Sequence, residues 1–85
     1  MIHVRYWAAA KAAAGTAEDF LDTEVPLTLA EVVRRSAELH PGRLVDVLRV
    51  CSTLVDDRPS ASSDPASFLV HPGQRVEFLP PFAGG

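Results

Sequence analysis

The amino-acid sequence predicts an α+β domain, in which one mixed sheet of four to five strands is covered on one face by a single main helix. Three observations lead there. Residues 2–7 alternate apolar and polar side chains, as a half-buried strand does. A capped stretch from Thr28 to about His40 repeats its apolar residues at helical spacing. Arg75–Leu79 reads as a last strand that runs straight into Pro80-Pro81, where ladder pairing must stop. An apolar helix stripe and an apolar sheet face then bury one another, the layer solution open to such a pattern.

Taken in order, the first strand puts Ile2, Val4 and Tyr6 on one face and His3, Arg5 and Trp7 on the other. Ala8–Ala14 is nearly pure alanine, the best helix former, and Gly15 is placed to end the turn. A second strand is expected over Asp19–Val25, closed by Pro26. In the main helix Thr28 and Glu31 form a capping box, and Leu27 can staple onto Val32. Leu29, Val32, Val33 and Ala37 make its core stripe, and Glu31, Arg34, Arg35 and Glu38 its wet side. Pro41-Gly42 terminates it. Arg43–Leu48 fits a helical turn as well as a strand, and Val50–Val55 reads as the third strand. Asp56–Ser67, broken by Pro59 and Pro65, reads as a surface loop. Phe68–Val70 suits a short edge strand, and Pro72-Gly73 the centre of a type II turn. A hairpin followed by a right-handed crossover sets the first and last strands side by side in the middle of the sheet.

Composition narrows the function. Eighty-five residues make one domain, 1–85, with residues 79–85 as its extended tail. A single cysteine, Cys51, excludes a disulfide scaffold. The net charge of −3 and scattered basic residues argue against nucleic acid. No apolar run reaches the ~20 residues of a membrane span, and His3 and Arg5 interrupt the start where a signal peptide would lie. A cytoplasmic protein without membrane partners is the expectation.

The informative segment is Phe78-Leu-Pro-Pro-Phe-Ala-Gly-Gly85. Two prolines lift the chain off the sheet, Phe82 and Ala83 follow, and Gly84 and Gly85 close it as a flexible Gly-Gly tail. Lacking Cβ atoms, two glycines thread a narrow channel in any backbone conformation and leave a carboxylate unshielded. Chance supplies such an ending in roughly 0.5% of chains, so its conjunction with a one-helix sheet is what carries weight. Gly85, assisted by Gly84, is therefore the expected reacting group. Trp7, facing away from the core beside Leu79, is expected to dock a partner together with Pro80, Pro81, Phe82 and Ala83.

Other residues carry less. Cys51 in an apolar strand suits a small buried hydrophobe better than a reactive thiol. His3, His40 and His71 lack metal-ligand spacing and read as lone surface histidines, and no metal site is expected. Asp56, Asp57 and Asp64 read as solvated turn residues. Without a nucleophile–base pair, phosphate loop or zinc motif, an active site of the protein's own is not expected.

The opening Met-Ile-His-Val-Arg-Tyr-Trp-Ala, the Ala-Ala-Ala-Gly at 12–15, the capped helix and the Pro-Pro-x-x-Gly-Gly ending resemble the sulfur carriers of the MoaD/ThiS type, most of all the small subunit of molybdopterin synthase. The resemblance implies a ubiquitin-like β-grasp fold and a carrier rather than an enzyme. It implies that an E1-like adenylating and sulfurating enzyme of the MoeB/ThiF type spends ATP on Gly85 and leaves a thiocarboxylate there, no cofactor being bound by the carrier itself. It implies, too, that the sulfur reaches a pterin precursor in a MoaE-like large subunit, toward molybdenum cofactor. Sulfur donation to cysteine or thiamine synthesis, and conjugation to lysines as a ubiquitin-like modifier, remain open, whereas the Gly-Gly end disfavours an inert interaction module.

Overall fold

The computed structural model describes residues 1–60 and 63–81. Strand β1 (Ile2–Tyr6) alternates as its pattern requires, with Ile2, Val4 and Tyr6 buried and His3 and Arg5 half-buried on the opposite face. The chain then turns into α1 (Ala8–Ala14), which buries Ala10 and Ala14. Gly15 ends α1 with φ 76°, donating its N–H to the Lys11 carbonyl, a left-handed cap that glycine adopts without strain.

Strand β2 (Glu18–Leu21) returns antiparallel to β1, pairing Ile2 with Leu21 and Arg5 with Glu18. It is shorter than the Asp19–Val25 expected. Thr23 Oγ1 binds the backbone of Val25 in a local turn, and Val25 is exposed, so the chain leaves the sheet before Pro26. Leu27–Thr28 forms β3, which pairs with β6 (Leu69–Val70) in a separate two-stranded ribbon. The short strand near Phe68–Val70 is thus not an edge of the main sheet.

Helix α2 spans Leu29–Leu39, and Thr28 Oγ1 accepts the Glu31 N–H at 3.1 Å. Half of the capping box is thus realised, while the Glu31 carboxylate turns to Arg34 at 2.6 Å. Arg34 also reaches Glu38, and this exposed i,i+3/i,i+4 chain contributes only tenths of a kcal/mol per pair. The stripe facing the sheet is Leu29, Val32 and Ser36, with Val33 and Ala37 half-buried beside it. The ambiguous segment after Gly42 is helical: α3 runs over Leu44–Arg49 and buries Leu44 and Leu48.

Strand β4 (Ser52–Val55) meets β5 (Arg58–Pro59) through a tight turn in which Asp56 and Asp57 both have positive φ, 49° and 68°. That two-residue mirror-image turn fits strand twist, and aspartate tolerates the left-handed region. β5 therefore interrupts what reads in sequence as a loop. Pro59 is acceptable there because β5 is an edge strand. Gly73, with φ 93°, and the Gln74 N–H to His71 carbonyl bond of 3.0 Å make the expected turn before β7 (Arg75–Leu79).

The main sheet has the order β2-β1-β7-β4-β5, with β1 and β7 parallel at its centre and β7 antiparallel to β4. Among the described residues α2 is the main helix, as expected, and the shorter α1 and α3 accompany it. The core gathers Ile2, Val4, Tyr6, Val76 and Phe78 from the two central strands against Leu29, Val32, Leu44 and Leu48. Tyr6 and Phe78 stack at its middle, ring centroids 6.1 Å apart.

Candidate functional site

The last described residues, Leu79–Pro81, leave the centre of the sheet. Phe82, Ala83, Gly84 and Gly85 lie outside the described residues, and so does the expected Gly-Gly tail.

Side chains on the outer sheet face belong to the residues that alternate with the core. The β1–β7 register pairs Tyr6 with Phe78, and the Trp7 N–H continues the ladder to the Phe78 carbonyl at 3.2 Å. Trp7 therefore comes level with Leu79, one residue before Pro80. Trp7 is 41% exposed and Tyr6 buried, so Tyr6 faces the core and Trp7 faces out. Directly after it, Ala8 sits at φ 48°, a left-handed conformation that alanine adopts only under strain and that turns the chain away from the strand. Trp7 is thus presented at a sharp corner.

Polar neighbours hold the indole in place. Trp7 Nε1 donates to Glu77 Oε2 at 2.9 Å, and the Arg5 guanidinium carbon lies 4.9 Å from the ring centroid. Glu77 Oε1 in turn accepts from Arg75 Nε at 3.0 Å, and Arg75 also reaches Asp57 at 2.9 Å. The Glu77 hydrogen bond, with Asp57 nearby, holds the Arg75 guanidinium above its usual range. On the β2 side His3 stacks on Phe20 at 4.6 Å and binds Glu18 at 3.0 Å. Leu79 and Pro80 are half-buried, and Pro81 is exposed. The structure therefore brings together Trp7, Leu79, Pro80 and Pro81 at one end of the sheet. Strand alternation pointed to Trp7 and Leu79, but the Arg5, Arg75 and Glu77 framing was missed, because single-sequence reading does not supply cross-strand register.

His40 is not a lone surface histidine. Its Nε2 lies 2.6 Å from Asp19 Oδ2, which also accepts the Tyr6 hydroxyl at 2.8 Å. Burial, with Asp19 alongside, pushes the Tyr6 phenol well above its ordinary range. This cluster ties the end of α2 to β1 and β2 on the core side, away from Trp7. His71 is exposed in the turn before β7. Asp56 and Asp57 are turn residues as expected, with Asp56 also accepting the Arg75 N–H, and Asp64 accepts the Ala66 N–H.

Cys51 is half-buried just ahead of β4, and its Sγ donates to the Val47 carbonyl at 3.2 Å. Burial pushes its thiol up to about 11, so it stays protonated and unreactive near neutrality. Among the described residues no group of His, Cys, Asp or Glu is arranged to hold a metal ion. None of the described helices is long and apolar enough to cross a membrane.

A five-stranded mixed sheet with parallel central strands and a crossing helix defines a ubiquitin-like β-grasp fold. The ThiS family model matches residues 4–85, and the chain belongs to that family. Among solved structures it is similar to SAMP1 from Haloferax volcanii, with a TM-score of 0.81 and 16% identity over 99% of this chain and 98% of that one. It is similar to a chain of the Amycolatopsis orientalis BexX/CysO complex, with a TM-score of 0.77 and 17% identity over 100% of both. A third likeness is to a complex of subunits 1 and 2 of the molybdopterin-converting factor from Helicobacter pylori, at a TM-score of 0.64 and 23% identity over 99% and 97%. At such identities these likenesses establish the fold alone. No curated protein matches the chain in sequence.

Proposed function

We propose that this protein is the sulfur-carrying small subunit of a molybdopterin synthase, and that Gly85 is its reacting residue. The observation that supports the carrier part of the reading is the ThiS family match, which begins at Val4 and runs to Gly85 itself; the pterin destination rests on the resemblance of the Pro-Pro-x-x-Gly-Gly ending. The central position of β7 supports it, since the strand leads from the middle of the sheet into Pro80-Pro81 and on to the terminus.

A carboxylate is a poor electrophile at its acyl carbon, so it must first be activated. A Gly85 oxygen attacks the α-phosphorus of ATP in an E1-like enzyme, and pyrophosphate leaves. The terminal sulfur of a persulfide then attacks the acyl carbon and displaces AMP. A thiol cleaves the resulting acyl disulfide, leaving a thiocarboxylate on Gly85 and a disulfide on the donor. The softer sulfur is delivered to a pterin precursor in a MoaE-like large subunit. Hydrolysis returns the Gly85 carboxylate, so the protein is a recycled co-substrate of the cytoplasm and not itself an enzyme.

In this reading Trp7 and Leu79 dock the body of the protein, and Pro80 and Pro81 stiffen the exit. Phe82 and Ala83 fill the mouth of the partner's channel, and Gly84 passes through its narrowest part. Cys51 takes no part, because its thiol is held protonated.

Reconstitution tests the assignment. Thiocarboxylated protein mixed with a molybdopterin synthase large subunit and the cyclic pterin precursor should yield the dithiolene product. Sulfide released only to a cysteine- or thiamine-forming partner, or lysine conjugates in place of product, would reassign the sulfur to those pathways.

A further inference from the structure

On the outer face of the sheet, Arg5 has no counter-ion among the described residues. Register sets Arg5 directly opposite Glu18 on β2 and Glu77 on β7, the two neighbours with which a cross-strand ion pair would form. Both carboxylates are committed elsewhere. Glu18 binds His3 at 3.0 Å, while Glu77 takes the Trp7 indole N–H and the Arg75 guanidinium. Among the described residues Arg5 makes no hydrogen bond or ion pair, and its Nε is buried without an acceptor. Its guanidinium instead lies against the Trp7 ring. A planar fork of donors, held over an indole and lacking an acceptor, is preorganised to receive a carboxylate in two-point contact.

We propose that Arg5 is the specificity contact of the docking face, receiving one Asp or Glu side chain of the partner protein while an adjacent apolar group covers Trp7 and Leu79. The proposal rests on the carrier reading above and names the chemistry by which the activating enzyme recognises this face. The surrounding charges define the occupant. Arg75 is neutralised between Glu77 and Asp57, and Glu18 is exposed beside His3, so a polyanion such as nucleic acid would meet carboxylates on either side of Arg5. A single carboxylate on an otherwise apolar protein surface meets only the unpaired cation and the ring. Because Leu79 lies level with Trp7, the same contact fixes where the terminal segment enters the partner.

The test is the affinity of the full-length protein for its own E1-like adenylating enzyme, measured by calorimetry. Arg5→Gln should raise Kd about 30-fold, as expected when one partner of a desolvated charge pair is removed, and Arg5→Lys should fall between the two. Wild-type binding should weaken with added salt, and most of that salt dependence should vanish in Arg5→Gln. The melting temperature of the free variant should stay close to that of the wild type, since no acceptor loses its donor. A Kd within threefold of wild type would overturn the proposal. If the enzyme fails to adenylate wild-type Gly85, the carrier reading falls and the Arg5 proposal with it. Adenylation of the wild type with equal affinity for Arg5→Gln removes the Arg5 proposal alone.

Discussion

Replacing Tyr6 with Phe deletes one hydroxyl from the middle of the fold while keeping the ring that stacks on Phe78. Tyr6 is 1% exposed, and its hydroxyl donates to Asp19 at 2.8 Å. A hydrogen bond to a charged acceptor contributes about 1.5–3 kcal/mol. Asp19 keeps His40 at 2.6 Å, and its side chain is 19% exposed, so water can replace the lost donor and the lower end applies. The expected loss is about 1.5 kcal/mol, which for a domain of this size lowers Tm by about 6–12 °C. The same residue sets an alkaline limit. The folded protein keeps the Tyr6 proton where an unfolded tyrosine, at about 10, gives it up. The folded state then binds more protons, so stability is whole below that pH and declines above it, by up to about 1.4 kcal/mol per pH unit. Cys51, raised to about 11, contributes with the same sign from a lower starting pH. Urea unfolding from pH 7 to 11 on wild type and Tyr6→Phe measures both effects. With one tyrosine in the chain, phenolate absorbance reports Tyr6 alone. A loss under ~0.5 kcal/mol at pH 7, or a variant whose alkaline decline parallels the wild type, would refute the reasoning.

Trp7→Ala should cost about 1–2 kcal/mol of stability, because Trp7 leans on the sheet yet remains 41% exposed, and ~2 kcal/mol or more of affinity for the activating enzyme. Thermal unfolding and partner titration on the same variant separate the two, and unchanged affinity per folded molecule would remove Trp7 from the docking face. Cys51 should react with iodoacetamide far more slowly at pH 7.5 than a free thiol, and Cys51→Ala should leave sulfur transfer at the wild-type rate. Rapid labelling, or loss of transfer in a folded Cys51→Ala, would contradict an inert cysteine.

The central elements were legible because their signals are local and strong. Alternation over Ile2–Tyr6 set the strand and its inward face, and the Thr28 cap with its apolar spacing set α2. Pro72-Gly73 marked the turn before β7. What escaped depends on distant partners. Leu27–Thr28 is two residues long, too short to show a period, and becomes a strand only by pairing with Leu69–Val70, the short strand expected there. Val25 has a strand former's side chain but no neighbouring strand to pair with. Ser36 shares the buried stripe of Leu29 and Val32, but its polar side chain gives no apolar signal in the sequence. His40 reads as a polar helix end, and only the fold brings Asp19 from β2 beside it. The candidate site divided in the same way. Trp7 and Leu79 followed from alternation, whereas the idle Arg5 beside two occupied glutamates exists only in register.

The most direct measurement is the intact mass of the protein after incubation with its E1-like enzyme, ATP, a persulfide sulfur source and a thiol. One oxygen exchanged for sulfur at the Gly85 carboxylate adds about 16 Da, and fragmentation should place the whole increment on the terminal residue. A chain lacking Gly85 should fold with unchanged Tm and gain nothing. An increment located on Cys51, or an equal gain in the chain without Gly85, would contradict the claim that this protein carries sulfur on its terminal glycine.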